Sequence, residues 1–258
     1  MIDEAHRYAV VIVDREHGQL FEFHLGVLEE RAREDGRSLR KPDFAAGDKE
    51  HGVRNKAAEL AQRHYRDTAR ALGQLVQQRG IGLVVVGGHE DTVTAFLGVL
   101  PRDLRQKVVG TFVADPRTLS PAAARDQAQR AIDDYERREE EQLVAHALEE
   151  VAAGGWSAVG LDWCLLAANE HAIELLLVRA DASVPGRACD GCGWLGREGD
   201  DCPIDGKPLR ETPDVIDEMA TRVLDTSGSV EHVYADTPLR DHVVAALLRF
   251  AVPRPVGS

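Results

Sequence analysis

Apolar runs alternate along the chain with segments in which apolar residues recur every three to four positions. The runs at residues 8–13, 19–25, 27–32, 82–88, 107–114, 173–178 and 229–234 predict strands, and the turn residues 14–18 predict an opening hairpin. The periodic segments at residues 53–78, 89–97, 121–152, 161–169 and 213–225 predict helices, and residues 239–248 a helix or a helix that passes into a strand. Strands interleaved with helices indicate an α/β fold in which helices cover a sheet.

A long helix links the two halves of this pattern. We predict that Ser120 is the N-cap of this helix, with Pro121 at the first helical position, and that Gly154-Gly155 ends it. Residues 133–142 in its middle are dense in charge, which is typical of a solvated face and here of a helix that bridges two domains. We place the boundary after residue 118, which gives domains of residues 1–118 and 119–258.

The loop of residues 34–52 leads into a helix with a cationic stripe. The loop contains three glycines and a proline and has no hydrophobic period. Loops of this length are usually functional or disordered. Four cations on the helix are spaced by seven, three and four residues, so they stand in one row: Lys56, Arg63, Arg66 and Arg70. The pattern is typical of a mobile loop beside cations that bind a polyphosphate backbone. It is equally typical of a solvated helix face beside an ordinary surface loop.

The charge is unevenly distributed along the chain. The net charge of −13 argues against indiscriminate nucleic-acid binding, yet residues 35–80 carry ten Lys and Arg against six Asp and Glu. Any contact with nucleic acid should therefore be local and should weaken with salt. No apolar run approaches the roughly 20 residues of a membrane span, and the N-terminus has no apolar signal-peptide core. We expect a cytoplasmic protein with neither a membrane nor DNA among its partners.

Three of the four cysteines form a cluster with the spacing of a zinc ribbon. A Cys-x-x-Cys turn at Cys189 and Cys192 is followed by a second turn in which Asp205 stands where a cysteine is usual, three residues after Cys202. Because a carboxylate can ligate zinc, a structural site with three thiolates and one carboxylate is chemically reasonable. A degenerate ribbon that kept its shape and lost its metal is the alternative. A closed site with four protein ligands leaves no position for a substrate in either case.

The order of these elements resembles the archaeo-eukaryotic class 1 peptide-chain release factors and Pelota, and more closely their bacterial homologues. The resemblance rests on the opening hairpin, the long loop, the basic helix, the strand of residues 82–88, the Glu/Arg-rich helix and the cysteine cluster. It implies a release-factor middle domain at 1–118. It also implies an L30e-like α/β/α domain at 119–258 with a zinc-ribbon-like insertion at 187–209. The family's N-terminal domain has no counterpart here, so we expect a short form or a fragment.

The resemblance also raises a question about catalysis. In the family, the loop before the basic helix carries Gly-Gly-Gln, whose glutamine helps water attack the ester of peptidyl-tRNA. The loop here has no Gly-Gly pair and no glutamine; Gln62, the first glutamine that follows, is already in the helix. The implied function is a non-hydrolytic, ribosome-associated factor of rescue, stalling or hibernation. Arg63, Arg66 and Arg70 would then contact tRNA or rRNA, and the second domain would offer a protein partner, such as a translational GTPase, an acidic surface.

Two other functions stay open at this point. An ester hydrolase acting on peptidyl-tRNA would use Asp48 or His51 near the loop tip as a general base for water. A protein-interaction module without RNA binding would also suit the chain, because the acidic surface outside residues 35–80 repels RNA. The interaction-module hypothesis predicts that the protein shows no salt-sensitive binding of RNA.

Overall fold

The predicted α/β class is confirmed by a computed structural model, which describes residues 7–36 and 49–255. The chain divides into two compact units, Met1–Tyr135 and Glu136–Ser258. Every helix among the described residues is too short or too polar to cross a bilayer.

The first unit is built on a five-stranded sheet. Its strands are β1 (Tyr8–Val13), β2 (His17–His24), β3 (Val27–Asp35), β4 (Leu83–Gly88) and β5 (Val108–Val113), in the order β3-β2-β1-β4-β5. Strands β1, β2 and β3 are antiparallel neighbours, whereas β1, β4 and β5 run parallel. The helices are α1 (Lys49–Arg79), α2 (Glu90–Val99), α3 (Arg102–Gln106) and the first part of α4 (Pro121–Ala152). This agrees with the predicted order, with α3 added.

Strand β1 is buried at every position because both faces of the sheet are covered. Its odd-numbered residues pack with side chains such as Leu72 of α1 and Phe96 of α2. Its even-numbered residues pack with Ala128 and Ile132 of α4. A continuous apolar run, rather than an alternating one, is what a strand covered on both faces requires.

The first part of α4 therefore belongs to the core of the first unit. Ala124, Ala128 and Ile132 are buried against the sheet. For this reason the division between the two compact units falls within α4, after Tyr135, and not at the start of the helix near residue 118.

The second unit contains the rest of α4, a four-stranded sheet and a small ribbon. Its remaining elements are β6 (Ser157–Val159), α5 (Leu161–Asn169), β7 (Ile173–Arg179), β8 (Gly186–Ala188), β9 (Leu195–Gly196), β10 (Arg210–Thr212), α6 (Val215–Asp225), β11 (Ser229–Val233), α7 (Leu239–His242) and β12 (Val244–Leu248). The main sheet has the order β11-β7-β12-β6, and the ribbon sheet the order β10-β8-β9. The ribbon coincides closely with the predicted insertion at 187–209.

An N-cap contact marks the start of α6 in the second unit. The Asp214 side chain accepts hydrogen bonds from the backbone N–H groups of Ile216 and Asp217 at the start of α6. An aspartate at this N-cap position satisfies donors that have no partner within the helix.

The predicted passage from helix to strand at 239–248 consists of α7 and β12, separated by Val243 with a φ of 69°.

Candidate functional site

Helix α1 carries the predicted cationic row on its solvent side. All four side chains are exposed: Lys56, Arg63, Arg66 and Arg70. Arg70 donates to the Asp67 carboxylate at 2.9 Å, an exposed pair one turn apart that contributes little to stability. The row therefore presents positive charge that is not committed to the core of the protein.

The opposite side of α1 buries two polar residues that the sequence pattern did not single out as a pair. His64 is 4% exposed and Thr68 is fully buried. Within the described residues, His64 Nε2 and Thr68 Oγ1 have no hydrogen-bond partner. Glycines of the first unit accommodate both side chains, since a Cβ at Gly18 would lie 2.6 Å from Thr68 Oγ1 and one at Gly36 would lie 3.1 Å from the His64 ring. These contacts anchor α1 on β2 and the end of β3.

The side chains of the two catalytic candidates lie outside the described part of the structure. Asp48 lies outside the described residues. His51 falls within α1, but its side chain is not among those described. The hydrolase hypothesis therefore stays a prediction from the sequence.

The cysteine cluster is formed by two turns of the same design. The backbone N–H of Gly193 donates to the Cys189 carbonyl at 2.8 Å, and that of Gly206 donates to the Cys202 carbonyl at 2.9 Å. Both glycines have φ near +70°, a conformation that a residue with a Cβ rarely adopts. The repeated geometry gives Asp205 in the second turn the position that Cys192 has in the first.

The four predicted ligands converge on one point. Their ligand atoms all lie within 4.8 Å of one another. Cys192 Sγ and Cys202 Sγ are 3.4 Å apart, and Cys189 Sγ lies 3.5 Å from an Asp205 carboxylate oxygen. Tetrahedral coordination with Zn–S bonds of about 2.3 Å separates two sulfurs by roughly 3.8 Å. The three thiols and the carboxylate thus fit a tetrahedral metal ion in both chemistry and spacing.

Local hydrogen bonds and burial set the charge of this cluster. The backbone N–H of Trp194 holds the pKa of the Cys192 thiol below its ordinary value. The backbone N–H of Lys207, 3.1 Å from the carboxylate, likewise holds the pKa of Asp205 below its usual range. Burial instead raises the pKa of Cys202 to about 11. A bound cation would favour the ionised form of each ligand.

Side chains of α5 and α6 fix the first turn of the cluster to the rest of the second unit. The Asn169 side chain donates to the Leu195 carbonyl at 2.8 Å and accepts from its N–H at 2.9 Å. Arg222 donates to the carbonyls of Gly193, at 2.6 Å, and Ala168, at 3.1 Å. The cluster is therefore held as part of the fold, which suits a structural role.

Three comparisons with known proteins bear on this architecture. Residues 1–133 match the model of a family described as bacterial archaeo-eukaryotic release factor family 10. A comparison with curated proteins gave no match. Many solved structures are similar to this chain.

One of these structures is archaeal Pelota, from a model of ribosome-bound archaeal Pelota and ABCE1. It is 18% identical with a TM-score of 0.56, over 95% of this chain and 62% of that one. Another is S. cerevisiae Dom34, a translation termination-like factor involved in RNA quality control pathways and interacting with Hbs1. It is 10% identical with a TM-score of 0.55, over 98% of this chain and 66% of that one. The chain thus spans slightly less than two thirds of the length of these proteins. At such identities the likeness establishes a shared fold.

Proposed function

The chain belongs to bacterial archaeo-eukaryotic release factor family 10, and on this basis we propose that it is a ribosome-associated, release-factor-like protein that does not hydrolyse peptidyl-tRNA. It acts in ribosome rescue, in the response to stalling, or in hibernation. The observation that carries the proposal is the exposed cationic row of α1, which lies within the part of the chain that matches the family.

The row supplies the chemistry for contact with RNA. Arg63, Arg66 and Arg70 lie one turn apart on a regular helix, so consecutive phosphates of one strand can meet consecutive guanidinium groups. Arginine and lysine that neutralise phosphates release counterions, and binding through them weakens as salt rises. Lys56, nearer the start of α1, extends the row toward the loop.

The loop sequence supports a role without hydrolysis. The release factors that this chain resembles place a glutamine of a Gly-Gly-Gln motif against the ester bond, and residues 34–52 contain no glutamine. The loop that the sequence predicts would then enter the same region of a ribosome and occupy it without delivering the side chain that orients water.

The similar proteins suggest the partners. Archaeal Pelota is described as bound to the ribosome with ABCE1, and Dom34 as interacting with Hbs1. By analogy, the partners of this chain are the ribosome, with its tRNA or rRNA, and a translational GTPase.

A structural zinc ion completes the proposal. Cys189, Cys192, Cys202 and Asp205 are its ligands, supported by the spacing of the four ligand atoms and the closed geometry of the two turns. Zinc bound there would stabilise the fold of the ribbon.

Sedimentation with 70S ribosomes across a salt series tests the function. The parent protein should pellet with ribosomes at low salt and be released as salt rises, whereas the double variant Arg63→Glu/Arg66→Glu should stay in the supernatant. The double variant Arg197→Glu/Arg240→Glu, which reverses two exposed cations of the second unit, is the matched control and should pellet like the parent. Co-sedimentation unchanged by the reversal at Arg63 and Arg66 would refute the assignment of the row.

A release assay with peptidyl-tRNA on ribosomes tests the absence of hydrolysis. The expected result is no turnover by the parent protein. Turnover that disappears in Asp48→Ala or His51→Ala would replace the proposal with the hydrolase alternative.

A further inference from the structure

The first unit contains a groove with a cavity volume of about 910 Å³ that the cationic row enters. Residues 66–81, from α1 and the turn after it, form one wall, and residues 99–107 form the other. Gly73, Val76 and Leu104 are among the apolar residues of its floor. Its polar residues include Arg66 and Arg70, the last two members of the row.

The charge of the groove favours an anionic occupant. Lys107 belongs to the second wall, and its ammonium reaches the first wall, where it donates to the Ile81 carbonyl at 3.0 Å. Gln74 and Gln77 add exposed amides along the α1 wall. Asp103 is the one acidic side chain among the described residues that line the groove. Cations contributed by both segments of the lining are suited to binding a chain of phosphates along the groove.

Gly73 keeps the floor open at a cost to the helix. Glycine in a helix interior is less favourable than alanine by about 1 kcal/mol. Packing within the protein does not require it, because a Cβ at Gly73 would meet only Leu104, at 3.4 Å. A glycine at such a position allows another backbone to approach closely.

The lining also indicates which part of a nucleic acid would be bound. None of the described residues that line the groove is aromatic. Bases of single strands are usually held by stacking on aromatic rings, so this groove has no stacking platform. We propose that it binds one strand of RNA by its sugar–phosphate backbone, with little preference for sequence. This inference rests on the proposed function and extends the RNA contact from the exposed row into a defined groove.

Fluorescence anisotropy with a short fluorescein-labelled oligouridylate tests the groove in the full chain. Gly73→Leu fills the floor with a good helix former, and Gln77→Glu places a negative charge on the exposed rim. Gly73→Leu and Gln77→Glu should each weaken the binding of oligouridylate about tenfold. The first removes a contact with the RNA backbone, and the second places a negative charge against a phosphate. Lys107→Gln should lower the slope of log affinity against log salt by about 0.7, the value for one phosphate contact on a single strand.

Control variants separate the groove from the row. Gln142→Glu makes the same charge change at an exposed position of α4 and should leave the affinity unchanged. If Gly73→Leu and Gln77→Glu both bind oligouridylate like the parent while Arg63→Glu abolishes ribosome binding, the groove proposal is overturned and the proposed function stands. Binding of poly-L-glutamate that is lost in Gly73→Leu, with RNA binding unaffected, would overturn it too and assign the groove to an acidic polypeptide. Thermal melting of each variant verifies that the fold is retained.

Discussion

The carboxylate of Glu140 accepts a hydrogen bond from the backbone N–H of Tyr234 at 2.7 Å. The same oxygen accepts a second bond of 2.7 Å from Ala235. Glu140 is only 8% exposed, although it belongs to a charge-dense stretch of α4. It therefore fixes the second part of α4 to the end of β11 through two main-chain donors.

Replacing Glu140 should destabilise the second unit. Glu140→Ala leaves two backbone donors unsatisfied and should lower the free energy of unfolding by about 2–3 kcal/mol, while Glu140→Gln, which keeps an acceptor, should cost less. Glu141→Ala, at the exposed neighbouring position, is the control and should unfold like the parent. Urea unfolding followed by circular dichroism measures the difference. Equal stabilities of Glu140→Ala and Glu141→Ala would contradict this role.

The burial of Glu140 also marks a limit of prediction from sequence. The charge pattern of residues 133–142 predicted a solvated face, and a pattern of that kind carries no information about which carboxylate meets a distant main chain. Regular elements were recovered because their signals are local. The apolar run of β1 specifies a strand, and the Ser120-Pro121 start and Gly154-Gly155 stop specify α4, without knowledge of their partners. Strand β6 and the ribbon strands are three residues or fewer, too short to leave such a signal.

The inward face of α1 gives a second example. Ala57 and Leu60 are apolar positions of the predicted helix at 53–78, yet Ala57 is exposed and Leu60 is half-buried, whereas the polar His64 is buried. The apolar pattern gives the helix correctly, but which turns are covered depends on where the neighbouring strands end. The four candidate metal ligands lie close together as their spacing predicts, because the spacing of residues within two tight turns is itself local.

A substitution at Gly18 should disturb the contact between β2 and α1. A Cβ there would lie 2.6 Å from Thr68 Oγ1 and 2.8 Å from Thr68 Cγ2, both buried. Gly18→Ala should therefore destabilise the protein by about 1–3 kcal/mol through overpacking. Gly82→Ala is the matched control, since a Cβ at Gly82 has no atom within 4 Å. Combining Gly18→Ala with Thr68→Ala should recover part of the loss, and strictly additive effects in this double-mutant cycle would argue against the contact.

Asp14 should make the first unit sensitive to acid. Burial raises the pKa of this carboxyl, but hydrogen bonds from the backbone N–H groups of Glu16 and His17, each 2.6 Å, outweigh it and hold the pKa below the ordinary value. The stabilisation is thus fully present above the unfolded-state pKa of about 3.9 and is lost as pH falls through the lower folded-state pKa. Asp14→Asn should be less stable than the parent by about 1–2 kcal/mol at pH 7. The difference should shrink as the pH approaches 3. Urea unfolding at several pH values measures it, and a difference independent of pH would refute the role of the charge.

The fourth position of the cysteine cluster makes the metal proposal testable by both loss and gain. Asp205→Ala removes one ligand and should weaken zinc affinity at least about tenfold, since even the loss of an outer-sphere partner costs about 10–100-fold. Asp205→Cys should tighten binding, because the two turns give position 205 the geometry of Cys192 and a fourth thiolate is the usual zinc ligand there. Competition with a chromophoric chelator under reducing conditions measures the affinities.

Asp190→Ala changes an exposed carboxylate in the first turn that is not a predicted ligand and should bind zinc like the parent. If Asp205→Ala and Asp190→Ala bind equally well, the carboxylate is not a ligand, and if the parent binds no zinc, the cluster is a ribbon that holds its shape without metal.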